Sequence, residues 1–325
     1  MTLLDDLLTK PSALAAFHSA WALAYFHLQA RYAARSRSVL RSAPHAGIYR
    51  PSVDVVVASY NETPETLGAC CDALVQAGSL YGGEWNVWLV DDGSANLEEL
   101  EPVYGRFRAR PGWTVLTGRP HQGKRKAQDA AVREGSGELV LMIDSDTRID
   151  PSTLQALVDQ FRDGTVGAAT GSIRVHNAAD NWLTQLIDER YRIRFEQERA
   201  AQGFFGAVLC CAGPFSAYRR SALEPHWARY LSQEFLGRQC TSGDDIHATI
   251  LVLTGDGRRE HRSVYAPDAT ARTTVPSSLS AYFRQQVRWN RSWFRELSWM
   301  LRARRVVRSP YVLFDLLTQT LLPLG

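Results

Sequence analysis

Cysteine is scarce and arranged against cross-linking. Five occur in 325 residues, as two vicinal pairs (Cys70-Cys71 and Cys210-Cys211) and a lone Cys240. An odd count in a long chain excludes a disulfide framework and fits a reducing compartment. No C-x-x-C and no Cys/His spacing is present, which excludes a structural zinc site. Internal repeats and low-complexity runs are missing too. Charge of one sign is also lacking: the formal net charge is only +3. The arginines gather beside apolar segments (Arg31, Arg35, Arg37, Arg41 and Arg50; Arg302, Arg304, Arg305 and Arg308) and not on one exposed stripe. That placement argues against a nucleic-acid partner and for membrane lipids. Long hydrophobic runs are few. Residues 12–30, SALAAFHSAWALAYFHLQA, come near the roughly 20 residues a span requires. They read either as a marginal transmembrane helix or as a helix lying on a bilayer or packed on the protein. No basic start and no small-residue cleavage site makes them a signal peptide.

Apolar residues make up 45% of the chain and charged residues 22%, so a folded protein is expected. Its first half alternates apolar runs with helical patterns. VDVVVASYNETPETL (53–67) reads as a buried strand ending in a polar turn, then a helix opened by Thr63-Pro64-Glu65. WNVWLVDDGSANLEEL (85–100) repeats the pattern of strand, Asp-Gly-Ser turn and helix; GWTVLTG (112–118) is a third short strand, ELVLMIDSDTRID (138–150) carries the next and VGAATGSIRV (166–175) makes a fifth. A helix over 123–135 stands before the fourth and one from Ser152 through Phe161 after it. Near-continuous apolar strands between helices predict an α/β, mostly parallel sheet covered on both faces. Ligands then bind beyond the carboxyl ends of the strands. Tyr60-Asn61-Glu62, Asp91-Asp92-Gly93 and Asp144-Ser145-Asp146 all fall there, so three polar clusters are expected to converge on one crevice. From about residue 180 the pattern reads as long amphipathic helices. Residues 279–304, dense in arginine and aromatics, read as interfacial helices.

Asp144 and Asp146 flank a single small residue at a strand end, where two like charges repel unless a cation lies between them. A hard divalent ion carrying water and phosphate suits such a pair, and Mg²⁺ or Mn²⁺ serves equally. Turn or cap chemistry is the plainer alternative. Lys124, Arg125 and Lys126 enter a helix at its amino end and could hold phosphate or form a solvated basic turn. Asp244 and Asp245 precede an apolar helical run, where a carboxylate can cap the helix or act as a general base. Arg288 beside Trp289 could neutralise a diphosphate while the indole supports a sugar ring. Packing against a membrane is the other reading.

The ordered set Ser59-Tyr60-Asn61-Glu62, Asp91-Asp92-Gly93-Ser94, Gly123-Lys124-Arg125, Asp144-Ser145-Asp146, Gly243-Asp244-Asp245 and Gln285-x-x-Arg288-Trp289 resembles the processive inverting glycosyltransferases, among them cellulose, chitin and hyaluronan synthases. WLTQLIDERY, ERAAQ and GPFSAYRRSAL narrow the resemblance to hyaluronan synthases and the rhizobial nodulation chitooligosaccharide synthases. It runs from about residue 50 to 300. QEFLGRQCTSGDD and RWNRSWFRE look more like the former, FGAVLCCAGP and HATILVL more like the latter, with a slight lean to hyaluronan synthase.

The resemblance implies a GT-A-like (Rossmann-like) catalytic domain on the cytoplasmic face of the cell (inner) membrane. It implies UDP-N-acetylglucosamine as donor, UDP-glucuronic acid as a second donor for a hyaluronan synthase, and a polysaccharide acceptor. Tyr60, Glu62 and Asp92 would hold the uridine. Lys124 and Asp144 would lie by the nucleotide sugar, Asp146 with Asp144 at the metal, and Asp245, beside Asp244, would be the general base. Gln285, Arg288 and Trp289 would close over pyrophosphate and acceptor. The implied organisation is a membrane or interfacial helix and basic linker (1–48), the catalytic domain (49–275), interfacial helices (276–309) and the start of a membrane segment (310–325). Family members continue into further membrane helices that form the polymer channel, so either a truncated form or an incomplete channel is expected. Rival readings are a non-processive transferase acting on a lipid carrier and a non-catalytic UDP-sugar-binding domain.

Overall fold

A computed structural model describes residues 11–42, 49–255, 260–302 and 306–321. The side chains of Arg41 and Arg302, residues Arg304 and Arg305, linker residues 43–48 and the terminal 322–325 lie outside that description.

The strands are β1 (Val53–Ser59), β2 (Trp85–Asp91), β3 (Trp113–Leu116), β4 (Leu139–Asp144), β5 (Arg148–Ile149), β6 (Val166–Val175), β7 (Phe215–Arg219), the hairpin β8 (Glu234–Phe235) and β9 (Arg238–Gln239), and β10 (Arg262–Thr273). The helices are α1 (Pro11–Ser42), α2 (Pro64–Tyr81), α3 (Leu97–Arg108), α4 (Lys124–Glu134), α5 (Thr153–Val158), α6 (Trp182–Ile193), α7 (Ala200–Phe204), α8 (Arg220–Leu223), α9 (Trp227–Leu231), α10 (Asp244–Thr254), α11 (Leu279–Arg302) and α12 (Pro310–Leu321). A π-helical stretch, Arg194–Arg199, joins α6 to α7.

One eight-stranded sheet runs β3-β2-β1-β4-β7-β6-β10-β5. β1, β2, β3 and β4 are mutually parallel, and β6 is parallel to β10. β7 runs antiparallel between β4 and β6, and β5 antiparallel on β10. β1 and β4 are buried along nearly their whole length because helices cover both faces, which is why they read as near-continuous apolar runs. Thr63 caps α2, its Oγ1 accepting from the Thr66 amide, and Pro64 stands at the first helical position. The register β1–β2–β4 aligns Ser59 with Asp91 and Ala58 with Asp144, which brings the three polar turns to one edge.

Two expectations are corrected. The stretch after residue 180 is not all helix. β7 and the 12-residue β10 complete the sheet; β7 is too short to show a period, and register shifts interrupt that of β10. Among the described residues no helix is long and apolar enough to cross a membrane. α1 instead packs through Tyr25, Gln29, Ala33 and Ser36 against the protein, with Trp21 Nε1 donating to Thr318 Oγ1 (2.9 Å) and Tyr25 Oη to Asp315 Oδ1 (2.9 Å) on α12. Its His, Ser and Gln side chains lower its hydropathy below that of a span.

Candidate active site

The turns after β1 and β2 are tied to each other. The Asn61 amide donates to Ser94 Oγ (2.8 Å), the Ala95 amide donates to Asn61 Oδ1 (2.8 Å), and Asn96 Nδ2 donates to the Glu62 carbonyl (2.8 Å). Asn61 takes a left-handed φ of 53°, a conformation Asn tolerates better than most residues. Asp91 is spent on its own turn and on Tyr104 Oη (2.8 Å). Asp92 accepts from the Gln122 amide (3.0 Å) and the Gly123 amide (2.8 Å), with His121 Nδ1 2.9 Å from its Oδ2. Its carboxylate therefore holds the loop leading into α4. Gly93 (φ 76°) is required, since a Cβ there would lie 2.4 Å from the His121 amide nitrogen. Tyr60, 45% exposed, stacks on His121 with ring centroids 4.1 Å apart, leaving an aromatic platform at the lip of the crevice.

At the adjacent strand end, Lys124 Nζ lies 2.5 Å from Asp144 Oδ1 and 3.1 Å from Asp244 Oδ2. Desolvation works against its charge, but these carboxylates hold its pKa well above the ordinary lysine value. Asp146 accepts from Thr273 Oγ1 (3.1 Å) on β10 and Thr147 Oγ1 (3.3 Å), while Ser145 Oγ donates to Glu62 Oε1 (2.8 Å). Burial, then the charges of Asp144 and Glu62, push the Asp146 carboxyl up to about 6. Among the described residues no group of three His, Cys, Asp or Glu side chains is close enough to enclose a metal ion. Asp146 with Asp144 still fits a divalent ion that takes its other ligands from phosphate and water, because a cation relieves the crowding of like charges.

Gly243, at φ 73°, starts α10, and Asp244 and Asp245 form its first turn. Asp245 Oδ2 accepts from the Gly213 amide (3.0 Å) and Oδ1 from the Ile246 amide (2.8 Å), with Cys210 Sγ at 3.5 Å. Burial and the neighbouring Asp244 raise the Asp245 pKa, whereas Lys124, against the pull of burial, keeps that of Asp244 below the ordinary value. One carboxylate is thus a fixed anion and the other a better proton acceptor. A Cβ on Gly213 would stand 3.4 Å from Lys124 Nζ, 3.5 Å from Asp245 Oδ2 and 3.7 Å from Asp144 Oδ2, so the glycine leaves open the space these three groups share.

α11 docks on the start of α10. Ser292 Oγ lies 3.0 Å from Ser242 Oγ and donates to the Arg288 carbonyl (3.1 Å), and Arg295 Nη2 donates to the Ser242 carbonyl. Arg288 is therefore one helical turn from the contact with the Asp244–Asp245 turn. Its side chain is exposed in a groove of about 550 Å³ lined by Thr241, Ser242, Phe283, Arg284, Val287 and Arg291. Trp289 is half-buried against the core, and Gln285 Oε1 is buried without a hydrogen-bond partner.

The structure thus gathers Tyr60 and Asp92 with the loop into α4, and Lys124, Asp144, Asp244 and Asp245 in one charge cluster, with Glu62 joining the β1 turn to Ser145 and Asp146. Arg125 departs from its reading as a phosphate ligand or solvated turn: it is buried, donating to the Tyr230 carbonyl (2.8 Å) and Gln233 Oε1 (2.6 Å). Sequence reasoning missed His121, Cys210 and Gly213. Only the closeness of His121 to Gly123-Lys124 could have signalled the first.

Residues 54–227 match the family model described as glycosyl transferase family 2. The chain belongs to glycosyl transferase family 2. It is 42% identical over 321 residues to an N-acetylglucosaminyltransferase of Sinorhizobium fredii, covering 98% of this chain and 76% of that protein. A Bradyrhizobium diazoefficiens protein of the same name is 40% identical across 99% of this chain and 65% of its own length. A mannosyltransferase from Pyrobaculum calidifontis, solved with GDP-Man and Mn²⁺, superimposes with a TM-score of 0.65 at 22% identity, over 95% of this chain and 81% of that one. The shared architecture is the GT-A-like α/β fold, with a mostly parallel sheet and flanking helices. This family 2 member is a glycosyltransferase by descent, and its crevice is the candidate active site.

Proposed function

We propose that this glycosyltransferase transfers N-acetylglucosamine from UDP-N-acetylglucosamine, with inversion, to the hydroxyl end of a growing β-linked polysaccharide. The observation that carries the reading is Asp245, a buried carboxylate of raised pKa fixed by two backbone amides and set beside the Lys124–Asp144–Asp244 charge cluster. The names of the relatives, which match nearly the whole of this chain, support the choice of sugar.

Asp245 takes the proton of the acceptor hydroxyl as its oxygen bonds to the anomeric carbon. Attack comes from the face opposite the diphosphate, and the bond from that carbon to the diphosphate oxygen breaks. One displacement inverts the configuration and requires no covalent enzyme intermediate. Lys124 and Arg288 supply positive charge where the departing diphosphate gains negative charge. Tyr60 and His121 receive the uracil ring, the turn held by Asp92 and Glu62 shapes the nucleotide end, and Gln285 and Trp289 line the acceptor path. Asp146 and Asp144 would hold Mg²⁺ or Mn²⁺, which would supply charge stabilisation to the diphosphate. The reaction is assigned to the cytoplasmic face of the cell membrane. Exposed Phe283 and Val287 alternate there with Arg284 and Arg291 on α11, a pattern suited to an interface.

The test uses membranes containing the chain, Mn²⁺ or Mg²⁺ and radiolabelled UDP-N-acetylglucosamine, with and without UDP-glucuronic acid. Chitinase-sensitive oligomers from the single donor support a chitooligosaccharide product. Hyaluronidase-sensitive polymer made only with both donors identifies hyaluronan, the product to which QEFLGRQCTSGDD and RWNRSWFRE lean. Asp245→Asn is expected to lower transfer by about 10²–10⁴-fold with UDP affinity unchanged. Full turnover in that variant refutes the base.

A further inference from the structure

Behind the crevice lies a polar cluster that takes no part in the chemistry above. Glu296, on α11 two turns beyond Trp289, is 0% exposed. Its Oε2 lies 2.9 Å from His247 Nδ1, and its Oε1 accepts from Gln233 Nε2 and from Arg295 Nε (3.1 Å). The orientation of Gln233 is set by Arg125, whose Nη2 needs the Gln233 oxygen (2.6 Å), so the amide nitrogen must face Glu296. Despite burial, hydrogen bonds from His247 and Gln233 keep the Glu296 pKa below its ordinary value, so the carboxylate is ionised at neutral pH.

Each partner belongs to a different working element. His247 is two residues past Asp245 on α10, and its ring is wedged between Tyr230 and Trp299. Arg125 follows Lys124 on α4 and lies over the Tyr230 ring at 4.9 Å. Arg295 reaches the carbonyl of Ser242, immediately before Gly243. The approach is close enough that a Cβ on Gly243 would stand 2.7 Å from Arg295 Nη2 and 2.7 Å from Ser292 Cβ. A buried carboxylate satisfied from three directions fixes the relative positions of its donors more narrowly than apolar contact does, since any slip leaves a buried charge unpaired.

We propose that Glu296 is a positioning residue for transfer. It sets the register of α11 against α10, so that Arg288 stays one helical turn from the contact with the Asp244–Asp245 turn, and through Gln233 it ties both helices to Arg125 on α4. The inference rests on the reading of Asp245 as base and Arg288 as diphosphate partner.

The test compares Glu296→Leu, Glu296→Gln and Arg295→Met with the wild-type chain in membranes. It measures kcat and donor KM for sugar transfer, UDP affinity by titration and folded fraction by circular dichroism. Glu296→Leu is expected to lower kcat by about 50-fold or more per folded molecule, with donor KM and UDP Kd within about threefold. Glu296→Gln can still accept from Gln233 and Arg295, and His247 can adopt the other tautomer, so it should recover most of kcat. Arg295→Met, which leaves the Glu296–His247 pair intact and cuts the tie to Ser242, is expected to lose about tenfold in kcat alone. It decides the matter if Glu296→Leu does not fold. Wild-type kcat in a folded Glu296→Leu or Arg295→Met chain overturns the inference, as does parallel loss of kcat and UDP affinity, the signature of a merely structural group. A wild-type chain without transferase activity overturns the base assignment and this inference together; an active wild type with fully active variants overturns this inference alone.

Discussion

Asp146 shares the end of the sheet with Asp144 and Glu62, and that company, added to burial, raises its carboxyl to about 6. Asp144 is already compensated by Lys124 at 2.5 Å, whereas Asp146 receives only hydroxyl donors from Thr147 and Thr273. A divalent cation therefore gains most at Asp146. With Mn²⁺ at pH 7.5, UDP is expected to bind at least about tenfold tighter than in a chelator, since metal and nucleotide phosphate share ligands. Asp146→Ala should erase that difference while leaving the metal-free affinity near the wild-type value. Titration by calorimetry reads both quantities. Equal affinity with and without metal in the wild type, or an undiminished metal effect in Asp146→Ala, removes Asp146 from the metal site.

Among the elements, α6 is held to the sheet by one strong pair. Asp188 accepts from Arg174 Nε (2.9 Å) and Nη2 (2.5 Å) on β6 and from the Val175 amide (2.9 Å). The hydrogen bonds from Arg174 outweigh partial burial and lower the Asp188 pKa. A depressed carboxylate contributes stability that is full above its unfolded value, about 3.9, and is lost as pH falls through the lower folded value. Asp188→Asn should then cost about 1–2 kcal/mol at pH 7 and progressively less below pH 4, read from urea unfolding at each pH. A penalty independent of pH would mean that shape and not charge holds α6. Elements whose signal is local were legible in the sequence. β1 and β4 carry both-face burial as near-continuous apolar runs, β2 is apolar at its buried end, and the turns that follow all three sit at the residues their sequences mark. β7 and β10 were not legible, because five residues are too few to show a period and bulges interrupt the polar, partly buried β10. The carboxylates of the crevice could be picked out because each follows a strand end. The Glu296 cluster could not, since Gln233, His247 and Glu296 stand 14 to 63 residues apart and none lies in a pattern that marks it as buried.

Across the whole molecule, the two terminal helices are joined to the crevice by a line of polar contacts. Tyr25 on α1 donates to Asp315 on α12 (2.9 Å), and Gln202 Nε2 on α7 donates to the same carboxylate (2.7 Å). Gln202 Oε1 accepts from Arg199 Nη1 (2.8 Å) and from the Leu209 amide (3.2 Å), one residue before Cys210, whose sulfur lies 3.5 Å from Asp245. α12 also touches α11 through Trp293 Nε1 and Thr320 Oγ1 (3.1 Å). The helices that flank the family 2 core are thus part of the support for its base and are not independent appendages. Asp315→Ala leaves the Tyr25 hydroxyl and the Gln202 amide without their acceptor, and each buried orphan costs about 1–3 kcal/mol. The expected loss is about 2–4 kcal/mol in urea unfolding, because the cavity lets the partners relax in part. Tyr25→Phe, which frees one acceptor oxygen and removes the donor with it, should lose about 1 kcal/mol. UDP affinity should stay unchanged in both, since Tyr60, Glu62 and Asp92 hang from β1 and β2 on the far half of the sheet, while transfer should fall with Asp315→Ala as the 209–213 loop loosens around Asp245. Transfer that survives that loss of stability would show that Gly213 and Ile246 hold the base without help from the terminal helices.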